Sequence, residues 1–259
     1  MRVLVVGDIV GRPGRRALKE LLPGLVRRLG VDFTLANAEN AAGGMGITRK
    51  VVDELLACGV DVLTTGNHVW QKKEVLQFID REPRVLRPAN YPPGTPGRGL
   101  GVFETRDRVR VAVLNLMGRV FVGAVDCPFR CADELLRGLG KDVRVIVVDF
   151  HAEATSEKAA LAWYLDGRVS AVIGTHTHVQ TADERVLPGG TAYITDVGMT
   201  GPRDSIIGMK KEIIVERFLT QLPSRFEVAS GGFQLNAVVV DVDPGSGKAV
   251  AIARVAENE

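Results

Sequence analysis

Three apolar runs in the first quarter of the chain are each followed by a polar loop and then by helical spacing of apolar residues. The runs are Arg2–Val6, 31–36 and 60–64, and the helical segments behind them are 15–29, 49–58 with Thr48 as N-cap, and 72–80. Because parallel strands need a crossover connection, this repeated order of strand, loop and helix predicts a parallel or mixed sheet covered by helices.

The remainder of the chain adds strands, helices and one irregular segment. Strands are predicted at 109–116, 143–149, 169–173, 192–195, 236–243 and 249–255, and helices at 131–139 and at 155–165 with Thr155 or Ser156 as N-cap. The runs 143–149 and 169–173 are mostly apolar and predict central strands, whereas the last three runs predict a second sheet. Segment 87–98 is rich in proline and glycine and predicts a surface loop, either a lid or a simple connection.

Composition is that of an ordinary globular protein. The chain has 259 residues, 46% hydrophobic and 25% charged, which suits a single domain over 1–259. The net charge of +2 gives no electrostatic reason to expect a nucleic acid partner. Three cysteines without a signal peptide predict reduced thiols in a cytoplasmic protein. No apolar run approaches the roughly 18 residues of a membrane span, so we expect no membrane segment.

All four histidines lie in three short motifs, each at the end of a predicted strand. The motifs are 66–68 (GNH), 149–151 (DFH) and 174–178 (GTHTH). Residues at the carboxyl ends of strands in an α/β sheet project into one crevice, and imidazole is the commonest transition-metal ligand. The distribution of the histidines therefore predicts a metal site.

The potential ligands after predicted strands are sufficient for two metal ions, and they are Asp8, Glu39, Asn67, His151, His176 and His178. His176 and His178 are two residues apart, so in an extended segment both side chains point the same way and serve adjacent ions. Glu39 is the preferred bridge because it lies in a polar turn. The set lacks cysteine, and its oxygen and nitrogen donors suit iron, manganese or zinc. Taken singly, Asp8 can be a helix cap, 66–68 a turn and His151 a core histidine.

The order of these motifs resembles the calcineurin-like metallophosphoesterase superfamily, whose pattern is Asp-x-His, Gly-Asp, Gly-Asn-His and Gly-His-x-His. Two departures are informative, because no histidine follows Asp8 at position 10 and Glu39 replaces the usual aspartate. These departures match the YmdB-like subfamily, and so do the motifs 7–15 (GDIVGRPGR), 37–44 (NAENAAGG), 151–158 (HAEATSEK) and 196–202 (DVGMTGP). The resemblance extends over nearly the whole chain.

This resemblance implies a fold, a metal centre and a substrate class. The fold is a four-layer α/β/β/α sandwich of two packed mixed sheets flanked by helices. The centre binds two ions, most often iron, with manganese or zinc as alternatives, and the substrate class is the 2′,3′-cyclic nucleotide, with 3′,5′-cyclic nucleotides as a variant. The implied ligands are Asp8, Asn40 and His178 for one ion and Asn67, His151 and His176 for the other, with Glu39 as bridge and Asn40 in place of the missing histidine.

The implied reaction is attack on a phosphodiester by a hydroxide that bridges the ions. Two divalent ions outweigh the charges of Asp8 and Glu39, so the site favours a phosphate anion. His68 follows Asn67 but is not needed as a ligand, which makes it the candidate proton donor to the leaving oxygen. Supporting roles are expected for Thr175, Thr177 and Glu153 in orienting imidazoles, for Arg12 and Arg15 in binding phosphate unless they are merely solvated, and for 196–202 in lining the site.

Other functions stay open at this point. The same centre serves a phosphomonoesterase or an RNA-end-processing enzyme, and a metal-stabilised regulatory binding protein is a third hypothesis. The intact motif 66–68 weighs against a binding protein, which has no use for a proton donor. The chain shows no aromatic residues interleaved with basic ones that would mark an RNA track. A small-molecule phosphodiester is the expected partner, and the sequence leaves an RNA-related partner and a homo-oligomer open.

Overall fold

Two β-sheets packed face to face form the centre of the molecule, and helices cover their outer faces. A computed structural model describes all 259 residues. The strands are β1 (Arg2–Val6), β2 (Asp8–Ile9), β3 (Phe33–Asn37), β4 (Val62–Thr64), β5 (Leu100–Glu104), β6 (Arg110–Met117), β7 (Val145–His151), β8 (Ala171–Thr175), β9 (Arg185–Val186), β10 (Ala192–Ile194), β11 (Met199–Pro202), β12 (Phe233–Val242) and β13 (Ala249–Asn258). The α-helices are α1 (Gly11–Leu29), α2 (Arg49–Ala57), α3 (Pro128–Gly138), α4 (Thr155–Leu165) and α5 (Lys211–Thr220).

The first sheet has the strand order β2-β11-β12-β1-β3-β4, and β13 pairs along the other edge of β12. β1, β3 and β4 are parallel, whereas β12 runs antiparallel to β1. The prediction that the three tail strands form the second sheet is therefore wrong for β12 and β13. β12 is a ten-residue, largely buried strand that completes the edge of β1 left open by β3.

The second sheet has the order β5-β6-β7-β8-β10-β9. The four inner strands are parallel, and the outer strands β5 and β9 are antiparallel to their neighbours. β7 and β8 are buried at every position, which confirms them as central strands. β10 is the tail strand that joins this sheet.

Aliphatic side chains from the facing sides of the two sheets form the layer between them. This inter-sheet core includes Val3 and Val5 of β1, Val111 and Val113 of β6 and Val147 of β7. A second apolar cluster packs α1 and α2 onto the outer face of the first sheet, and a third packs α3 and α4 onto the outer face of the second. The four-layer sandwich is confirmed.

Two helix predictions in the first half of the chain need correction. α1 begins at Gly11 rather than at residue 15, because Pro13 fits the first turn of a helix, where its missing N–H is not required. The predicted helix 72–80 is instead two short 3-10 helices, Val69–Gln71 and Lys73–Gln77. Lys72 between them has extended backbone angles, which interrupts the helix.

The N-cap predictions have mixed outcomes. Thr48 caps α2 by accepting a hydrogen bond from the amide of Val51 at 3.4 Å, as predicted. Thr155 and Ser156 are inside α4, whose N-cap is Ala154 without a side-chain bond. The strands β5 and β11 and the helix α5 are not predicted by the sequence patterns.

The proline-rich segment 87–98 folds around one guanidinium. Arg87 donates hydrogen bonds of 2.7 to 3.2 Å to four backbone carbonyls, those of Pro88, Ala89, Thr95 and Pro96.

The three cysteines are free thiols. No helix is both long enough and apolar enough to cross a bilayer.

Candidate metal centre

The carboxyl ends of strands from both sheets meet at one end of the molecule. Asp8 lies after β1, Glu39 and Asn40 after β3, Asn67 and His68 after β4, His151 at the end of β7, and His176 and His178 after β8. Each of the seven predicted metal-binding residues, and His68, contacts another member of this group. The fold therefore brings together every residue that the strand-end motifs singled out.

Four donor atoms converge around His151, from residues that we call the His151 set: Glu39, Asn67, His151 and His176. His151 Nε2 lies 3.0 Å from Glu39 Oε1, from Asn67 Oδ1 and from His176 Nδ1. One imidazole nitrogen donates at most one hydrogen bond, so three polar neighbours at this distance exceed what hydrogen bonding uses. Donor atoms of Glu39, His151 and His176 all lie within 4.8 Å of one another, which suits a single metal ion.

Asp8, Asn40 and His178 form a second and more open group, the Asp8 set. Asn40 Nδ2 lies 3.2 Å from His178 Nε2, and Asp8 Oδ1 lies 3.8 Å from the same nitrogen. Asp8 is fully buried, and its Oδ1 has no hydrogen-bond partner. A buried carboxylate oxygen without a partner is costly unless a donor or a cation satisfies it. This unpartnered oxygen fits the binding of a cation.

Glu39 connects the two sets. Its Oε1 lies 3.0 Å from His151 Nε2 and 3.3 Å from Asn40 Nδ2, and its Oε2 accepts a hydrogen bond from the backbone N–H of His68 at 3.0 Å. Gly66 makes room for this contact, because a Cβ there would overlap both the His151 ring and Glu39 Oε2. The glycine of motif 66–68 is therefore required by close packing.

Each imidazole of the two sets also has one nitrogen turned outward to a fixed partner. An acceptor at one ring nitrogen holds a proton there and leaves the other nitrogen with a free lone pair. The three inward nitrogens are thereby available as metal donors. The outward contacts are His151 Nδ1 to Thr175 Oγ1 at 3.0 Å, His176 Nε2 to Glu153 Oε2 at 3.1 Å, and His178 Nδ1 to the backbone oxygen of Ile207 at 2.9 Å.

A buried hydrogen-bond network lies behind His151. Thr175 Oγ1 donates to Asp149 Oδ1 at 2.7 Å, and Asp149 Oδ2 accepts from the Thr64 hydroxyl and from Asn37 Nδ2 at 3.3 Å. The network joins β3, β4, β7 and β8, so it fixes His151 relative to both sheets. Sequence reasoning singled out Thr175 but missed Asp149. The available signal was a carboxylate within an otherwise apolar strand.

The segment that carries His176 and His178 is a turn. The two residues have φ angles of 100° and 66°, in a region that residues other than glycine rarely adopt. The prediction of an extended segment with both side chains on one side is therefore wrong. The turn instead directs His176 to His151 and His178 to Asn40, so the two imidazoles face different sets.

Burial and mutual charge shift the pKa values of the site residues. Burial disfavours the charged forms of Glu39 and His151, but their mutual attraction outweighs it, lowering the pKa of Glu39 to about 2 and raising that of His151 to about 9. Burial raises the pKa of Asp8 to about 6, and burial followed by the charge of His151 lowers the pKa of His176 to about 3. A metal ion at His151 must displace a proton, so metal binding is coupled to proton release.

His68 lies beside the His151 set without joining it. Its backbone N–H is bonded to Glu39, whereas its ring atom Nδ1 is buried and has no hydrogen-bond partner. The other three histidines have an outward nitrogen held by an acceptor. His68 is thus the histidine whose ring is not committed to either set.

The remaining predicted residues have different environments. Arg15 is held by Glu54 at 2.9 Å and by the carbonyl of Ala41 at 2.6 Å, so the structure does not support it as a phosphate ligand. Arg12 lines a surface cavity of about 850 Å³ beside α1. Segment 196–202, which ends in β11, lies behind the histidine turn, where Asp196 accepts a hydrogen bond from the backbone N–H of Thr177.

Comparison with known proteins identifies the family of this chain and agrees with its fold. A family model described as "YmdB-like protein" matches residues 4–255. The chain belongs to the family of YmdB-like proteins. This YmdB-like protein is 54% identical to the 2′,3′-cyclic-nucleotide 2′-phosphodiesterase of Bacillus subtilis strain 168, over the whole of this chain and 98% of the relative.

Two solved structures superpose closely on this YmdB-like protein. A hypothetical protein from Thermus thermophilus has a TM-score of 0.94 and 46% identity, with full coverage of both chains. A phosphatase from Mycoplasma pneumoniae has a TM-score of 0.93 and 35% identity, covering all of this chain and 93% of the other. The four-layer arrangement is therefore shared with proteins of known structure.

Proposed function

We propose that this YmdB-like protein is a metal-dependent phosphodiesterase that hydrolyses cyclic nucleotides of the 2′,3′ type. One observation carries the proposal: three imidazoles, each with its outer nitrogen bonded, turn their inner nitrogens toward two carboxylates and two amides. The name of the Bacillus subtilis relative supports the cyclic nucleotide as substrate class.

The two sets would each hold one cation. The His151 set would take one through Asn67, His151 and His176, and the Asp8 set the other through Asp8, Asn40 and His178, while Glu39 contacts both. These oxygen and nitrogen donors suit iron, our first choice, as well as manganese or zinc. When bound, the cations would offset the charge of a phosphodiester and make hydroxide available as a nucleophile near neutral pH.

The residues themselves favour an anionic substrate. With cations bound, Asp8 and Glu39 would be the charged members of the two sets, and the amides and the deprotonated imidazoles would be neutral donors. Two divalent cations would then keep an excess of two positive charges after these carboxylates are counted. A phosphodiester anion and a hydroxide would complete the charge balance.

His68 is the proposed proton donor. Hydrolysis of a 2′,3′-cyclic phosphate adds water across one P–O bond, and the ribose oxygen that leaves must take up a proton. The backbone contact to Glu39 holds His68 beside the His151 set, and its ring has a nitrogen free of protein partners. General acid catalysis of this kind typically contributes about 10²–10⁴-fold to the rate.

A substrate panel tests the proposed function. Metal-loaded protein is assayed with 2′,3′-cyclic AMP, 3′,5′-cyclic AMP, 4-nitrophenyl phosphate and a short RNA with a terminal phosphate, and Asp8→Ala serves as the control. We expect the highest kcat/KM for 2′,3′-cyclic AMP and its loss in Asp8→Ala. Preference for the monoester or the RNA would replace the cyclic nucleotide as substrate class, and full activity of Asp8→Ala would overturn the metal assignment.

A further inference from the structure

A buried ion pair lies behind the turn that carries His176 and His178. Lys158 of α4 is 1% exposed and Asp196, after β10, is fully buried, and Lys158 Nζ lies 2.7 Å from Asp196 Oδ2. Lysine is among the residues most rarely buried, and a buried lysine is normally paired with an opposite charge. Neither residue belongs to the two donor sets.

Asp196 uses both of its oxygens. Oδ2 accepts hydrogen bonds from the backbone N–H of Thr177 at 3.0 Å and from the Thr177 hydroxyl at 2.7 Å, in addition to Lys158. Oδ1 accepts from the backbone N–H of Gly198 at 2.8 Å. Four donors thus hold one carboxylate, and two of them belong to Thr177.

Thr177 is the residue between the two histidines. His176 and His178 both have left-handed φ angles, which are unfavourable for residues with a Cβ and persist where surrounding contacts determine the backbone. Bonds from both the amide and the hydroxyl of Thr177 fix this residue at two points. These two bonds hold the backbone between the two unfavourable angles.

We propose that Lys158, Asp196 and Thr177 form a clamp that positions His176 and His178 for metal binding. Because the two imidazoles face different sets, the clamp sets the metal affinity of both sets together. The role of Lys158 is to neutralise Asp196, which would otherwise be an unpaired buried charge. The inference rests on the proposed metal centre but not on the identity of the substrate.

The first test compares Thr177→Val with Thr177→Ser. Valine has the shape of threonine but lacks the hydroxyl, whereas serine keeps the hydroxyl that bonds to Asp196. Mn²⁺ is titrated into metal-free protein by calorimetry, and thermal unfolding is followed in the same buffer. We expect Thr177→Val to weaken both equivalents by about 10-fold or more, the size typical of partners behind metal ligands, and Thr177→Ser to restore them.

The control for coupling is Asn67→Ala, which removes a donor from the His151 set alone and is expected to weaken one equivalent. Unchanged affinity in Thr177→Val, or loss of a single equivalent, would overturn the clamp. Failure of the wild type to bind two Mn²⁺ would overturn the clamp and the metal centre together. Two bound Mn²⁺ without cyclic nucleotide hydrolysis would refute the proposed function and leave the clamp standing.

A second pair of variants separates positioning from fold stability. Lys158→Met leaves Asp196 buried without a counter-charge, and we expect lower stability and weaker metal binding together. In the double variant Lys158→Met with Asp196→Leu, apolar packing replaces the ion pair, but the two N–H groups and the hydroxyl that donate to Asp196 lose their acceptor, so some stability is lost. We expect the double variant to be more stable than Lys158→Met, which retains an unpaired buried charge, and yet to bind both Mn²⁺ ions no more tightly than that variant. Wild-type affinity in the double variant would contradict the proposal.

The loop between β6 and α3 is fixed at both ends. Asn90 joins its two ends, because Nδ2 of Asn90 donates hydrogen bonds to the carbonyls of Met117 at 2.7 Å and Asp126 at 2.9 Å. Its first turn is held by Glu157, which accepts from the backbone N–H of Arg119 at 2.9 Å. The N–H of Gly118 donates to the backbone oxygen of His151 at 2.9 Å, so the loop begins beside the last residue of β7.

The tip of this loop presents Phe121, which is 90% exposed and has a φ angle of 63°. A left-handed angle and an exposed aromatic ring are both unfavourable in a loop whose ends are fixed, and such strain concentrates where ligands bind. Phe121 is three residues after Gly118, the end of the loop beside His151. Its backbone therefore lies within about 10 Å of that end. The geometry points to Phe121 as a stacking platform for the base of the proposed nucleotide substrate.

Phe121→Ala and Phe121→Trp test this role with two ligands of metal-loaded protein, 3′-AMP and ribose 3-phosphate, which lacks the base. We expect Phe121→Ala to weaken binding of 3′-AMP by about 10-fold, the size of one lost stacking contact, and tryptophan to restore it. Binding of ribose 3-phosphate is expected to stay unchanged. Equal weakening for both ligands, or no weakening, contradicts stacking, whichever substrate the enzyme proves to hydrolyse.

Discussion

The His151 set and the Asp8 set differ in how closely their donor atoms converge. Around His151 Nε2, three donor atoms lie at 3.0 Å. In the Asp8 set, Oδ1 of Asp8 is 3.8 Å from His178 Nε2 and has no hydrogen-bond partner. In the first set the donor atoms converge closely, whereas the second includes a buried carboxylate oxygen without a hydrogen-bond partner.

The backbone of one histidine in each set contributes to this difference. His151 is the last residue of a central strand, with Thr175 and Asp149 bonded in series behind its ring. His178 lies in a turn, and its outer nitrogen is held by the carbonyl of Ile207, which itself has a φ angle of 47°. A donor on a strand is fixed by sheet hydrogen bonds, whereas a donor on a turn depends on a few local contacts. We therefore expect the His151 set to bind its cation more tightly.

Glu39→Ala has the largest expected effect, because Glu39 contacts both sets. Loss of a shared carboxylate weakens both cation sites, and several kcal/mol of lost transition-state stabilisation lowers kcat/KM by about 10³-fold or more. Kinetics with 2′,3′-cyclic AMP and metal analysis measure it. Glu82→Ala is the matched control, since Glu82 is a buried carboxylate paired with arginines elsewhere. Loss of one cation alone would assign Glu39 to a single set.

His68→Ala separates catalysis from metal binding. We expect kcat to fall by about 10²–10⁴-fold while both cations are retained, because His68 donates a proton and lies outside the sets. A phosphodiester with a 4-nitrophenolate leaving group is the control substrate. Its leaving oxygen needs no proton, so the variant should hydrolyse it with a much smaller loss. Metal loss, or an equal loss on both substrates, would remove the role of proton donor.

Thr175→Val tests the network behind His151. Removing the hydroxyl leaves His151 Nδ1 without its acceptor and Asp149 without one donor, so the imidazole loses its fixed orientation. We expect the Mn²⁺ affinity of the His151 set to fall by up to about 100-fold, with the Asp8 set unaffected. Thr175→Ser should restore it. Equal weakening of both equivalents would abolish the distinction between the two sets.

Glu153→Ala should have the smallest effect. Its carboxylate holds the outer nitrogen of His176, but the side chain is 48% exposed, so water can replace it as an acceptor. We expect affinity for one Mn²⁺ to fall by about 10-fold, the lower end for residues that orient metal-bound histidines. A calorimetric titration measures it, and an effect as large as that of Thr175→Val would show that exposure does not govern these contacts.

Much of the fold follows from local sequence patterns. The apolar runs predict β7 and β8 because strands buried on both faces leave a signal at every position. The placement of β12 beside β1 cannot be predicted from local patterns, because strand order depends on long-range pairing between residues such as Val6 and Ala237. The two short 3-10 helices after Asn67 are also not predicted. The extended conformation of Lys72 that separates them has no signal in the amino-acid composition of this segment.

The site shows a similar division. Residues after strands are found from the sequence because the ends of parallel strands converge wherever the sheet forms. The left-handed angles of His176 and His178 cannot be found from the sequence. The contacts that hold this turn come from Asp196, which is 19 residues from Thr177 in the chain. Lys158 looks like an ordinary helix residue until the fold places it against that carboxylate. Sequence thus identifies the donors, and tertiary contacts decide how they are held.

Metal content is the most direct test of the two-set arrangement. Metal-free wild type, Asp8→Ala and Asn67→Ala are loaded with Mn²⁺, freed of excess ion and analysed by plasma mass spectrometry. We expect two Mn²⁺ per chain in the wild type and one in each variant, the ion that remains in Asp8→Ala being the tighter one. A single Mn²⁺ per wild-type chain, or two in both variants, would contradict the two-set arrangement.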